Sequence, residues 1–138
     1  RQGMAVAALM GATAFQKGLG AAHSLAHPLS TCAGMHHGLA NAIVLPYVIE
    51  FNRPACSDIY NKIERALDLK TSLTSWILDL RSETGIPHTL QEADVPLDLV
   101  EAMTAQAYDD GCHATNPRKC AKHDLHNLYL AAFSGGEA

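Results

Sequence analysis

The spacing of the apolar residues constrains the fold of this chain more than any other feature. Apolar side chains recur every three or four residues, and no segment alternates convincingly as a strand would. This pattern predicts one all-α domain, a bundle of roughly six or seven helices. The first helix has few polar residues and is predicted to be buried, and Trp76 is predicted to anchor the core. The predicted helices cover residues 4–15, 21–29, 36–52, 57–69, 97–108 and 122–133, and another begins at Thr71 or Ser72 and is closed by Gly85.

Glycine and proline mark the predicted interruptions. The triplet at residues 18–20, Gly-Leu-Gly, predicts either a break or a place where another group approaches the backbone closely. We expect a bend or restart at Pro28, a loop over residues 30–34 and a kink at Pro46. Residues 53–54, Arg-Pro, are predicted to end the helix that contains Pro46.

Composition excludes several classes of protein. Hydrophobic residues make up 48% of the chain and charged residues 17%, which is typical of a globular domain and not of a disordered one. The formal net charge is −4 and no Lys/Arg cluster occurs, so we expect no nucleic-acid partner. The longest apolar runs are too short to span a membrane, and no signal peptide is visible. The four cysteines form no C-x-x-C pair, so reduced thiols and a cytoplasmic location are expected.

Histidines are concentrated near the start of the chain. Four of the eight, His23, His27, His36 and His37, fall within the most apolar third of the sequence. An imidazole in an apolar setting needs a partner for each ring nitrogen, and a divalent metal can gather several of them. His23 and His27 are four residues apart and therefore share one helical face. The same spacing fits solvated pairs or core histidines bonded to carbonyls, and it does not select which of the four are ligands.

The acidic residues leave a metal site incomplete. A catalytic metal generally takes three or more protein ligands and keeps one position for substrate. No Asp or Glu occurs between Arg1 and Val48, and no spacing argument favours Glu50, Asp58 or Glu92. The chain also opens within what reads as an ongoing helix, without an initiator Met or a capping residue. We therefore expect an incomplete domain over residues 1–138, with a missing upstream segment that supplies further ligands.

The histidine-rich segment resembles the signature of a known family. Residues 18–29 read GLGAAHSLAHPL and residues 37–46 read HGLANAIVLP. These are similar to the motifs G-L-G-x-x-H-x-x-x-H-P and H-G-x-x-N-A-x-x-L-P of the iron-containing (group III) alcohol dehydrogenases. Residues 112–118, CHATNPR, resemble the closing C-x-x-x-N-P-R loop of the same family. Together the matches run from the start of the chain almost to its end.

The resemblance implies a two-domain enzyme with an N-terminal α/β domain that binds NAD(P). The C-terminal domain would be all-helical and would hold a metal between one Asp and three His. By position, His23 and His37 are two of those metal ligands, and the implied metal is Fe²⁺, with Zn²⁺ as a substitute. His27 is implied to be the catalytic, non-ligand histidine that contacts the nicotinamide cofactor and relays the alcohol proton. The other Asp and His ligands and the glycine-rich cofactor loop have no counterpart in this chain.

The resemblance assigns roles less specifically at some other positions. Phe15 and Cys112 are implied to line the substrate pocket, but the stretch from Phe15 to Gly18 is one residue shorter than the familiar F-S-N-x-G. Cys112 fits a buried, inert thiol equally well. His36 lies outside the general pattern and is read as a polar residue at a helix start or as a hydrogen-bond partner of a ligand. Asn41 could bond the backbone or a neighbouring ligand, or bend its helix.

The predicted function is the interconversion of an alcohol and its aldehyde or ketone by hydride transfer with NAD(P). The predicted partners are a small alcohol or aldehyde substrate, the nucleotide-binding domain of the same parent chain and a second copy in a homodimer. Two alternatives are a metal-independent reductase of the same fold, such as a maleylacetate reductase, and a helical module without turnover when isolated. His88, His123 and His126 are expected at the surface.

Overall fold

The computed structural model describes residues 1–136, which form six α-helices and no β-strand. The predicted all-α class is therefore confirmed. No helix in this range is both long enough and apolar enough to cross a membrane. The helices are α1 (Gln2–Ala14), α2 (Gly20–Ala33), α3 (His37–Ala66), α4 (Leu73–Thr84), α5 (Val100–Asp109) and α6 (Lys122–Ser134), with 3₁₀ turns at Phe15–Lys17, Leu97–Leu99 and Cys112–Thr115.

The ends of α4 follow directly from its capping residues. Ser72 occupies the N-cap, and its Oγ accepts a hydrogen bond from the Ser75 backbone N–H at 3.1 Å. Gly85 ends the helix with a φ of 70°, a left-handed conformation that glycine adopts without strain. Both ends lie where the sequence predicted them.

The predicted interruptions at proline were partly wrong. Helix α2 continues through Pro28 to Ala33, so the loop expected over residues 30–34 is reduced to a left-handed Gly34 that caps the helix. Helix α3 is one continuous helix through Pro46 and Pro54, where the sequence predicted two helices separated at residues 53–54. At Pro46, a tertiary hydrogen bond meets the carbonyl that the proline leaves without a helical donor.

Two arginines from other parts of the chain bond carbonyl oxygens in the turns that precede these prolines. A proline lacks an N–H, so Pro46 leaves the Ala42 carbonyl without its helical donor. Arg81 of α4 is buried and donates from Nη1 to the Ile43 carbonyl at 2.9 Å and to the Ala42 carbonyl at 3.5 Å. In the turn before Pro54, the Phe51 carbonyl accepts a hydrogen bond from Arg118 at 2.9 Å. The sequence pattern could not reveal these long-range donors.

Helix α2 is the central helix of the core. It packs against α3, α5, α6 and the turn Cys112–Thr115, and its Leu25 and Leu29 are fully buried. Burying one leucine side chain contributes about 1.5–3 kcal/mol. The Tyr129 hydroxyl of α6 donates a hydrogen bond to the Leu25 carbonyl at 2.7 Å. The histidines of α2 are therefore carried by a helix that is held from several sides.

Two predictions about burial were wrong. Helix α1 has no buried residue, and its Met4 and Leu9 side chains are 74% and 68% exposed. Its small and apolar residues favour helix formation, but they do not decide what the helix packs against. Trp76 was expected to anchor the core, yet it is 37% exposed because its face of α4 points partly outward.

Candidate functional site

The site begins where the loop after α5 lies against the start of α2. A Cβ at Gly18 would lie 2.5 Å from Thr115 Oγ1, and φ at Gly18 is 102°. A Cβ at Gly20, where φ is 70°, would lie 3.1 Å from Asn116 Oδ1. The two predictions made for Gly18 and Gly20 are thus both confirmed. The glycines separate the 3₁₀ turn from α2, and they let Thr115 and Asn116 approach the backbone closely. The loop therefore fixes the first turn of the helix that carries His23.

Asn116 joins three segments at this point. Its Oδ1 accepts hydrogen bonds from the Ala21 backbone N–H at 3.2 Å and from Asn52 Nδ2 at 3.1 Å. Its Nδ2 donates to Asn52 Oδ1 at 2.6 Å and to the Arg118 carbonyl at 2.6 Å. Asn116 and Asn52 are both buried, so each amide meets the other's hydrogen-bonding needs. This paired amide ties the start of α2 to the middle of α3.

Three imidazole rings meet between α2 and the first turn of α3. The His23 ring centroid lies 5.3 Å from that of His37 and 5.9 Å from that of His27. The His27 and His37 rings stack at 5.4 Å with an interplanar angle of 19°. The structure thus brings together all three histidines that the family resemblance singled out. His36 shares in none of these ring contacts, and its ring lies beside Gly38 at the start of α3.

The His23 ring has an unmet hydrogen-bonding need. Its Nδ1 is buried and has no hydrogen-bond partner among residues 1–136. Burial lowers the pKa of His23, and the neighbouring His37 and His27 lower it further. The Leu19 carbonyl, which does not reach hydrogen-bond geometry with Nδ1, offsets this effect only in part. A neutral imidazole with a free nitrogen is the form that a divalent metal binds.

Phe15 and Asn41 each contact one of the imidazoles. The Phe15 ring meets His23 edge-on at a centroid distance of 6.3 Å. Asn41 Nδ2 lies 3.1 Å from His37 Nε2 and 3.0 Å from the His37 carbonyl oxygen. Asn41 therefore contacts both the backbone and the ring of His37. Its amide orients a histidine that is itself exposed at the start of α3.

His27 has a different neighbour, Asp110, which lies 83 residues further along the chain. His27 Nδ1 is 2.7 Å from Asp110 Oδ2. Asp110 Oδ1 accepts hydrogen bonds from Ser24 Oγ at 2.9 Å and from the Cys112 backbone N–H at 3.0 Å. Burial alone would raise the pKa of this carboxyl, but hydrogen bonds from Cys112, His27 and Ser24 hold it well below its usual range. Asp110 is therefore ionised at neutral pH.

Cys112 lies beside the same carboxylate. Burial raises the pKa of the Cys112 thiol to about 11, and the negative charge of Asp110 adds to that shift. The thiol is consequently protonated at neutral pH and is a poor nucleophile. Ligand atoms of His27, Asp110 and Cys112 lie within 4.8 Å of one another. Whether Cys112 also lines a substrate pocket stays a prediction.

Asp110 is the residue that sequence reasoning missed. It follows the last residue of α5 and precedes Gly111, whose φ of 79° turns the chain into Cys112–Thr115. Its position two residues before the Cys of the closing motif was the only available signal, since no local spacing links it to His27. The three acidic residues considered as ligands are elsewhere: Glu50 bonds Arg53 and Thr74, Glu92 accepts from the His88 backbone N–H, and Asp58 is exposed in α3.

The remaining histidines lie apart from the three-ring cluster. His88 and His123 are exposed, as predicted. His126 is only partly exposed, and its Nε2 lies 3.0 Å from a carboxylate oxygen of Glu101. A cleft between α3 and α4 includes Arg81, but it contains none of the predicted site residues. Another cleft is lined in part by His27 and Asp110.

Sequence comparison relates nearly the whole chain to one family of enzymes. Residues 1–133 match the profile described as "Fe-containing alcohol dehydrogenase family, C-terminal". The 4-hydroxybutyrate dehydrogenase of Cupriavidus necator is 36% identical over 139 residues, which cover 93% of this chain and 36% of that protein. The NADPH-dependent butanol dehydrogenase of Clostridium saccharobutylicum is 31% identical over 150 residues, which cover 99% of this chain and 39% of that protein.

Solved structures give the same relationship at the level of the fold. An alcohol dehydrogenase from Oenococcus oeni superposes with a TM-score of 0.76 at 26% identity, covering 83% of this chain and 33% of that one. A maleylacetate reductase from Rhizobium sp. strain MTP-10005 superposes with a TM-score of 0.71 at 23% identity, covering 88% and 33%, which is a likeness of fold alone. The chain thus spans about a third of the length of the relatives it matches.

Proposed function

The chain belongs to the Fe-containing alcohol dehydrogenase family, and from this premise we propose that it forms the metal-holding part of an alcohol–carbonyl oxidoreductase. The parent protein would interconvert a small alcohol and its aldehyde or ketone, with NAD or NADP as the second substrate. The observation that supports this most directly is the three-imidazole cluster. Within it, the His23 and His37 rings lie 5.3 Å apart and the buried His23 Nδ1 has no partner among the described residues.

His23 and His37 would hold the metal. Their donor chemistry fits a first-row divalent cation such as Fe²⁺, with Zn²⁺ as a substitute, because neutral imidazole nitrogens suit both ions. When bound, such a cation keeps a net positive charge and polarises the oxygen of the substrate. An Asp and a further His, implied by the family resemblance, would complete the set of ligands from outside the matched motif.

His27 would move a proton without binding the metal. Its Nδ1 is already engaged by Asp110 at 2.7 Å, so only Nε2 is free to exchange a proton with a substrate hydroxyl. The ring is partly exposed at the edge of the cluster, where a substrate could reach it. Phe15, edge-on to His23, and Cys112, beside Asp110, would form part of the substrate pocket.

The chemistry supplied by NAD(P) is hydride transfer, and the residues that bind most of this cofactor would belong to a separate nucleotide-binding domain. From this chain we assign only His27 to a contact with the nicotinamide. The predicted homodimer and cytoplasmic location stay predictions.

Removal of the metal from the full-length protein tests the proposed function. Alcohol oxidation should be lost on treatment with a chelator, and it should return when ferrous ion is added under anaerobic conditions. Sodium or magnesium ions at the same concentration serve as the control for ionic strength. Full activity in metal-free buffer would contradict the proposal and favour a metal-independent reductase of the same fold.

A further inference from the structure

We propose that Asp110 is a positioning residue that fixes the orientation and the tautomer of His27. This inference rests on the proposed function for its effect on turnover, but the tautomer itself can be measured independently. The carboxylate lies on the loop after α5, and the imidazole lies on α2, so the contact depends on the packing of two distant segments. The direct contact is the 2.7 Å separation between Asp110 Oδ2 and His27 Nδ1.

The two oxygens of Asp110 have separate roles. Oδ1 accepts from the Ser24 hydroxyl at 2.9 Å and from the Cys112 backbone N–H at 3.0 Å. Oδ2 is left to face His27. A carboxylate that is held at one oxygen by two donors cannot rotate without breaking both hydrogen bonds. The oxygen that meets the imidazole is therefore fixed in place.

Ser24 can donate its hydroxyl hydrogen only to Asp110, because its own oxygen is already an acceptor. Its side chain is fully buried, and its Oγ accepts a hydrogen bond from the His113 backbone N–H at 2.8 Å. The single hydroxyl hydrogen of Ser24 is consequently directed to Asp110 Oδ1, which has no hydrogen to offer while it is ionised. Ser24 and His27 are three residues apart on α2 and share one helical face. The same helix thus carries both the imidazole and the group that steadies its partner.

The acceptor character of Asp110 determines the tautomer of His27. An ionised carboxylate only accepts hydrogen bonds, so Nδ1 of His27 must carry the hydrogen in their contact. In the neutral ring, the lone pair is then on Nε2. His27 is thereby presented as a proton acceptor at Nε2, with its ring held parallel to His37. Without Asp110, an isolated imidazole would be free to rotate and to exchange tautomers.

Nitrogen-15 NMR of the full-length protein tests this inference without any substitution in the carboxylate. The zinc-loaded or metal-free protein should show His27 as the Nδ1–H tautomer, with the signal assigned by its loss in His27→Asn. An Nε2–H tautomer in the wild-type protein would overturn the inference. This readout holds even if the protein proves to use a substrate other than an alcohol.

Asp110→Asn provides the second arm, with Asp109→Asn as the matched control. An asparagine at position 110 can turn its amide toward His27 and donate, which should populate the opposite tautomer. We expect kcat of the metal-loaded enzyme to fall about 10- to 100-fold, with KM and metal content within about twofold of wild type. Asp109→Asn removes the same charge from the adjacent residue and should leave kcat, KM and the tautomer unchanged. Loss of metal from Asp110→Asn, or unchanged kcat and tautomer, would contradict a positioning role.

Discussion

His23 and His27 lie one turn apart on the same face of α2, yet their surroundings differ. The His23 ring contacts the rings of Phe15 and His37, and its buried Nδ1 has no partner among the described residues. The Nδ1 of His27 is paired with Asp110 at 2.7 Å. Two imidazoles of the same helix therefore offer different chemistry. The ring of His23 has a nitrogen without a hydrogen-bond partner, whereas the Nδ1 of His27 is paired with a carboxylate. The tertiary partners therefore distinguish the two histidines, which their spacing in the sequence does not.

The largest effect should come from removing a proposed metal ligand, either His23 or the neighbouring His37 of α3. His23→Ala or His37→Ala in the full-length protein should lower the affinity for Fe²⁺ by more than about 100-fold, because each deletes a donor from a site with few protein ligands. Metal content after dialysis, measured by plasma mass spectrometry, checks this. His123→Ala, which replaces an exposed histidine of α6, is the control. Full metal content in either variant would remove the distinction between the two histidines.

Replacing His27 should lower the rate of turnover and leave the metal content unchanged. His27→Ala is expected to lower kcat by about 10²- to 10⁴-fold, the range for loss of a general acid or base. Metal content should match that of the wild type, since the Nδ1 of His27 is engaged by Asp110. Steady-state kinetics and metal analysis on the same preparation check both statements. If His27→Ala emptied the metal site, the assignment of roles would be reversed.

Asn116 fixes the start of α2, the helix that carries both His23 and His27, so its removal should not distinguish the two histidines. Asn116→Ala would leave the buried Asn52 amide and the Ala21 N–H without a partner. Each buried group without a hydrogen-bond partner costs about 1–3 kcal/mol. We therefore expect the free energy of unfolding to fall by at least about 1–3 kcal/mol. Urea denaturation, with the exposed α6 residue in Asn127→Ala as control, measures it. A stability equal to that of the control would show that the paired amide does not fix the start of α2.

The smallest expected effect is a pH dependence that belongs to His23. Its pKa in the folded protein lies below the value of 6.5 expected in the unfolded chain. As the pH falls toward and below 6.5, His23 takes up a proton more readily in the unfolded chain than in the folded protein, so the free energy of unfolding decreases. In the metal-free full-length protein, His23→Asn should lessen the loss of stability between about pH 7.5 and about pH 5.5. An equal or steeper loss in the variant would contradict the lowered pKa.

Local sequence signals predicted what depends on neighbouring residues. The Ser72 and Gly85 caps of α4, the close approach at Gly18 and Gly20, and the absence of strands from the described range all followed from residue type and spacing. The metal-ligand assignments came from the family motif and not from spacing, which left four histidines as equal candidates.

What the sequence could not predict depends on partners far along the chain. Proline residues pointed to a break in α3, but Arg81, from the next helix, bonds the Ala42 carbonyl that Pro46 leaves free and the adjacent Ile43 carbonyl. The apolar residues of α1 pointed to burial, although none of them is covered within residues 1–136. Asp110 reaches His27 only because α2, α5 and the turn Cys112–Thr115 pack together. No periodicity encodes such a contact.

The most direct test of the separate roles of His23 and His27 is a crystal structure of the full-length protein grown with Fe²⁺, with anomalous diffraction data collected at the iron absorption edge. We predict one anomalous peak within about 2.0–2.2 Å of a ring nitrogen of His23 and of a ring nitrogen of His37. His27 should remain bonded to Asp110 and should not contact the metal. A peak enclosed by His27, Asp110 and Cys112 in place of His23 and His37 would contradict the account.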